Sequence, residues 1–156
     1  MKKILFLLIL VSIFSSCSNK RQEVQGDLYF KLIDIGSFYK TDDETFAKFE
    51  KSLDSLRLSK NISPDELEVI RIFDLLKKND LLKSPWINLK TESKIIKIFL
   101  TQKEYNKIEK FKRNQLVKNN EKVELKILVE ELDNGIYYSN EISEFKKVDG
   151  KTHWRK

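Results

Sequence analysis

One cysteine and one histidine occur in 156 residues, so thiol and imidazole chemistry are each confined to a single position. Cys17 sits in "LVSIFSSCSNKRQ", behind an apolar run and two serines, a place suited to covalent modification rather than catalysis. His153 lies in "KTHWRK". A catalytic imidazole needs an orienting neighbour and a rigid support. A terminal strand supplies neither, so an exposed strand-end histidine is expected. The 24 acidic residues offer many pairs for general acid–base work. Asp34, on an otherwise apolar stretch, is the carboxylate to inspect first, against a reading as a strand-edge or ion-paired group. The sequence has no paired histidines, C-x-x-C, G-x-S-x-G elbow, calcium loop or glycine-rich phosphate loop. No catalytic residue, metal site or cofactor is therefore expected, and the chain reads as a non-enzyme.

The residues ahead of Cys17 explain its position. Lys2 and Lys3 form a basic start, Ile4 to Val11 is an unbroken apolar run, and Ser15 and Ser16 are small. That order is a secretory signal peptide, and its core is shorter than the ~20 residues of a spanning helix. "FSSC" resembles the lipobox of bacterial lipoproteins, with Ser15 and Ser16 at the small positions and Cys17 at the invariant cysteine. The resemblance implies cleavage between Ser16 and Cys17 by signal peptidase II. It also implies a diacylglycerol on the thiol and an acyl chain such as palmitate on the new amino terminus. The relaxed "SSC" ending and the Lys-, Asn- and Ile-rich composition resemble small lipoproteins of the Bacteroidota. Several acyl chains make a lasting anchor where one binds only marginally. The competing reading is a leader cut elsewhere, with Cys17 a free thiol. The segment after the cysteine, Ser18-Asn19-Lys20-Arg21, lacks the acidic cluster of surface-exported relatives. That favours the outer membrane's inner leaflet, facing the periplasm. The likeness covers about twenty residues and implies nothing about the rest of the chain.

Three segments follow from this reading: 1–16 a signal peptide, 17–26 the lipidated cysteine with a flexible linker, and 27–156 one domain. Removing sixteen residues from 156 leaves 140, and removing Lys2 and Lys3 lowers the net charge from +6 to +4. Such a balance permits contact with anionic headgroups and calls for no nucleic-acid partner. With Cys17 lipidated no thiol remains for a disulfide, so stability must come from the core.

The elements are legible in outline. "GDLYFKLIDIGSF" (26–38) reads as a strand covered on both faces. Thr41 with Glu44, Ser63 with Glu66, and Thr101 with Glu104 each have the spacing of a helix capping box. The first helix would bury Phe46, Phe49, Leu53 and Leu56. The second would bury Leu67, Ile70, Phe73 and Leu76, widened by Val69, Ile72 and Leu75. The third, to about Asn119, would turn Tyr105, Ile108, Phe111 and Leu116 inward. Short strands are expected at 84–90 and 94–100. In 122–132, Val123, Leu125, Ile127 and Val129 share one face. "DNG" (133–135) and "VDGK" (148–151) read as turns. The sum is an α+β fold with a mostly antiparallel sheet and about three helices on one face.

Three surface features could carry function. Lys103, Lys107, Lys110, Lys112, Arg113 and Lys118 make the third helix basic, either as a solvated face or for lipid headgroups or an acidic partner. Tyr137, Tyr138, Phe145, Trp154 and Trp86 read first as core, with a peptide or sugar groove as the alternative. Ser55, in "DSL", resembles the Asp-Ser/Thr-aliphatic site of O-glycan attachment in exported Bacteroidota proteins, and it falls opposite Phe46 on its helix. The leading expectation is a membrane-anchored, periplasm-facing binding or accessory module that touches another envelope protein or the wall. The alternatives are an immunity protein that neutralises a toxin and a carboxylate-based hydrolase.

Overall fold

The structure, a computed structural model, describes residues 21–31 and 36–150. Ser16, Cys17, Asp34, His153 and Trp154 lie outside the described residues, as does the second arm of the turn expected at 148–151. Five strands run in order: β1 Gln22–Tyr29, β2 Trp86–Lys90, β3 Ile95–Leu100, β4 Glu121–Asp133 and β5 Ile136–Asp149. Helices α1 (Asp43–Arg57) and α2 (Pro64–Lys78) lie between β1 and β2, and α3 (Gln102–Ile108) and α4 (Arg113–Asn119) lie between β3 and β4.

The fold is α+β with antiparallel pairs predominating, but the sheet is not open. The strands close in the order β1-β2-β3-β5-β4, with β3 and β5 parallel and the other pairs antiparallel. Closure follows from two features. β1 pairs with β4 over Gln22–Asp27 and with β2 over Asp27–Tyr29, so one strand bridges both edges. The long β4·β5 hairpin shifts register at three places, and each bulge adds bend and twist. Five strands in this order with a helical crossover from β3 to β4 have the connectivity of the OB-type Greek-key barrel. Asn134-Gly135 joins β4 to β5, and Gly135 takes φ +76°, a left-handed conformation that glycine adopts without a Cβ clash.

Two cores result. The barrel interior holds Val123, Leu125, Ile127 and Val129 of β4, each at most 1% exposed, against Leu89, Ile96, Ile98, Leu100 and Tyr137. The second core lies outside the barrel. Phe99 and Ile136 project from the outer faces of β3 and β5 and meet Leu76, Leu81 and the partly buried Ile72, Leu75, Trp86, Leu132 and Tyr138. Thus α2 lies across the outer face of β2 and β3. Phe38 joins the helices by packing on Phe46 (4.9 Å) and Phe49 (4.6 Å), and Phe49 packs on Phe73 (5.9 Å). The helices therefore occupy two sites, α1–α2 on the barrel wall and α3–α4 at its end, instead of one face.

Local departures have local causes. β1 begins at Gln22, inside the segment read as linker, because Gln22–Asp27 pair with β4 while only Val24 packs inward; Gln22, Glu23 and Gln25 stay exposed and polar. It ends at Tyr29 rather than Phe38. The cap of α1 is Asp42, which accepts from the Thr45 N–H at 2.8 Å, because Lys40 turns the chain through φ 64° just before it. Ser63 and Glu66 form the expected reciprocal capping box. Leu67 (53% exposed) and Val69 (40%) face water, so the buried stripe of α2 is its C-terminal half. The third expected helix is two, because Phe111 to Leu116 is a five-residue step that one continuous helix cannot keep on one face.

Candidate functional site

The described residues hold their aromatic side chains mainly in two places: the α1–α2 interface, and a cleft at the barrel end where β1 stops, β2 starts and α3–α4 cap the interior. This cleft has a volume of about 490 Å³. Its walls are Tyr29 and Phe30 from the end of β1, Tyr39 from the chain before α1, Trp86 of β2, Tyr105 of α3, and Phe111 between α3 and α4. Asn88, 3% exposed, lies in its floor with Ile87 and Ile108. Lys31, Lys112 and Arg113 stand at the rim with Glu109.

Several contacts fix the walls. Tyr39 and Tyr105 meet edge to face at 5.3 Å, and the Gln102 side-chain amide donates to the Tyr39 hydroxyl at 3.0 Å. Burial, with the Glu109 charge in support, pushes the Tyr105 phenol up, so it stays protonated. Lys40 donates to Glu109 at 2.6 Å. Lys40 ends above its ordinary value and Glu109 below, each chiefly through this bond. Phe38 N–H donates to the Leu82 carbonyl at 2.7 Å and Ser37 Oγ to the Ser84 carbonyl, which tie the chain before α1 to the chain before β2. Gly36 packs beneath Trp86 so closely that a Cβ there would lie 1.8 Å from Trp86 Cε2.

Beyond Phe111 a second hollow, about 480 Å³, is lined by Lys110, Phe111, Lys112, Phe145, Lys146 and Lys147, among others. Phe111 and Phe145 pack edge to face at 6.0 Å, and the Lys110 ammonium lies over both rings, at 5.4 and 5.6 Å. The two hollows share Phe111 and Lys112, so they form one surface.

α3 is held to the barrel by a buried acid. Thr101 caps the helix by accepting from the Glu104 N–H at 3.3 Å. The Glu104 carboxylate does not reach back as the capping box expects. It is 3% exposed and accepts from the Ile142 N–H of β5 at 2.8 Å and from Lys107 Nζ at 2.6 Å. Burial alone would push this carboxyl up; the Lys107 ammonium and the Ile142 N–H outweigh it and hold it below the ordinary range.

A third and more polar hollow, about 710 Å³, opens at the opposite end of β1, between Gln22–Asp27 and the turn from β2 to β3. It contains two carboxylates that share one lysine. Lys122 bridges Asp27 (2.9 Å) and Glu124 (3.1 Å). The bridge holds Glu124 below its ordinary range. Among the described residues every carboxyl with a displaced ionisation is displaced downward. No cluster of three metal-ligating side chains occurs among the described residues.

The basic residues expected on one helix are thus divided. Lys107 serves Glu104, while Lys110, Lys112 and Arg113 gather at the α3–α4 junction beside the aromatic cleft. Of the C-terminal aromatics, Tyr137 is barrel core and Tyr138 packs in the second core. Trp86 and Phe145 line the two basic hollows. Tyr29, Phe30, Tyr39, Tyr105 and Phe111 were not foreseen as one site, since their spacing marks them only as separate core positions. Ser55 is exposed on α1, its Oγ donating to the Lys51 carbonyl at 3.0 Å. The chain matches no protein-family model, no curated protein and no solved structure.

Proposed function

We propose that the chain is a lipid-anchored binding module of a bacterial cell envelope, held at the outer membrane's inner leaflet through Cys17, with the aromatic cleft at the barrel end as its recognition surface. The observation that carries the binding role is the convergence of six aromatic residues from five segments on one concave site with a cationic rim. Barrels of this connectivity bind oligonucleotides and oligosaccharides on the β2–β3 face. Here α2 covers that face, so recognition shifts to the end of the barrel. The anchor supports the same end. Five Cα-to-Cα steps lead from Cys17 to Gln22 and reach ~18 Å at most. β1 then runs ~23 Å to Tyr29. The polar hollow beside Gln22 thus lies next to the membrane, and the aromatic cleft faces the periplasm.

Fractionation of cells making the full chain or Cys17→Ser tests the anchor, and a photo-crosslinking residue at Phe111 tests the surface. The expected result is a membrane-bound parent, a soluble Cys17→Ser, and one dominant adduct from Phe111 that a crosslinker at Lys60 does not give. An unacylated parent that is soluble, or equal adducts from both positions, defeats the reading.

A further inference from the structure

The chemistry of the two hollows narrows the partner. Four cations crowd the α3–α4 junction and the end of β1: Lys31, Lys110, Lys112 and Arg113, all exposed. No ion pair among the described residues engages any of them. The two nearby acids are already taken, Glu109 by Lys40 at 2.6 Å and Glu121 by Lys147 at 2.9 Å. Glu109 also feels the Lys112 charge, but cations outnumber it here, and like charges held together in excess raise the energy of the free protein and favour a complementary anion. The ring contacts favour one kind. A sugar or a base would need open ring faces to stack upon. Phe111 and Phe145 instead meet edge to face under the Lys110 ammonium, and Tyr39 and Tyr105 meet edge to face as well. The apolar volume beneath these cations fits a carboxylate-bearing chain that also inserts an apolar side chain. A bilayer is flat, whereas both hollows are concave, and they lie at the end of β1 away from the proposed anchor.

Resting on the reading above, we propose that this surface docks an acidic polypeptide segment, its carboxylates on Lys110, Lys112, Arg113 and Lys31 and one apolar side chain in the cleft between Tyr39, Trp86 and Tyr105. Fluorescence anisotropy on the detergent-solubilised full chain tests it. The probes are a short labelled peptide of Asp and Glu with one central Leu, the same peptide with Leu replaced by Glu, and its Asn/Gln counterpart. The Leu-bearing acidic peptide should bind roughly tenfold or more tightly than either control, with an on-rate that falls as salt rises. The triple variant Lys110→Glu, Lys112→Glu, Arg113→Glu should lose that binding at an unchanged unfolding midpoint. Lys51→Glu, Lys60→Glu, Lys78→Glu, the same charge change on exposed positions of α1, α2 and the turn between them, should retain most of it.

Equal losses in the two triples, or equal binding of the Leu-bearing and all-acidic peptides, would reduce the surface to a net-charge effect and overturn the proposal. So would saturation by phosphatidylglycerol vesicles or a sulfated glycan that the acidic peptide cannot compete away. Each of those results leaves the fractionation and crosslinking outcomes intact, so this inference can fail while the binding-module reading stands.

Discussion

Glu104 offers the sharpest test of how the fold is held. Replacing it with Ala removes the acceptor of the Ile142 N–H and the partner of Lys107, and opens a small void between α3 and β5. Ile142 is 5% exposed, so its N–H has no ready access to water. An orphaned buried donor costs ~1–3 kcal/mol. The Lys107 pair adds little, since the lysine side chain is 38% exposed and its attraction is screened. With a modest void the total is about 3 kcal/mol, or roughly 10 °C in Tm for a domain of this size. Gln in the same place keeps an amide oxygen for Ile142 and loses only charge assistance, about 1 kcal/mol.

The sign of the pH dependence follows. The folded carboxyl lies below its ordinary 4.5, so it contributes stability that is fully present above that value and is lost as pH falls through the folded one. Urea unfolding of the parent and Glu104→Gln should therefore show a gap near neutrality that closes in acid. A cost below about 1 kcal/mol for Ala, or a parent–Gln gap that is the same at neutral and acidic pH, would refute the assignment of Glu104 as the clamp.

Other outcomes separate space from backbone strain and stability from recognition. Gly36→Ala should cost about 1–3 kcal/mol and shift the fluorescence of Trp86, because the new Cβ would overlap the indole; an unchanged emission spectrum would contradict that packing. Gly135→Ala meets nothing within 4 Å and should cost only the left-handed backbone penalty, about 1 kcal/mol, by thermal unfolding. Lys112 precedes α4 in extended conformation without a side-chain cap. Lys112→Ser should therefore raise stability by about 1 kcal/mol while weakening the acidic peptide, and a loss of stability would argue against the α4 boundary. If Ser55 carries an O-glycan, the intact mass of the envelope-derived protein exceeds the acylated chain by whole hexoses, and a mass without them ends that expectation.

What could be read from the chain, and what could not, divides along physical lines. Val123, Leu125, Ile127 and Val129 alternate because one face of β4 is barrel interior, and all four are at most 1% exposed. Ser63-Pro64 marked a helix start because its signal is entirely local. Barrel closure left no local mark. It depends on β1 pairing with β2 and β4 at once, and the half of β1 that meets β4 reads "QEVQGD", polar enough to pass for a linker. Phe99 looked like any residue of a buried strand, yet it faces outward into a second core that exists only because α2 folds back over β3.

The same division runs through Thr101-Gln102-Lys103-Glu104 and gives the cleft its physical basis. The spacing is that of a reciprocal cap, and only half of the reciprocity is made. The carboxylate that would close the cap instead bonds Ile142, at the place where Ser139 and Glu141 bulge β5. By turning inward Glu104 forgoes a helix-end bond, worth about 1 kcal/mol, for a charge-assisted tie between helix and barrel. That tie fixes α3, and with it Tyr105 and the α3–α4 junction that carries Phe111, Lys112 and Arg113. A loosened Glu104 should therefore blunt the cleft before it unfolds the domain. In Glu104→Ala, peptide affinity should fall at temperatures where the barrel is still fully folded, and Lys107→Ala, which leaves the Ile142 bond in place, should bind nearly as the parent does. Affinity that declines only in step with unfolding would show that the clamp holds the barrel and not the site.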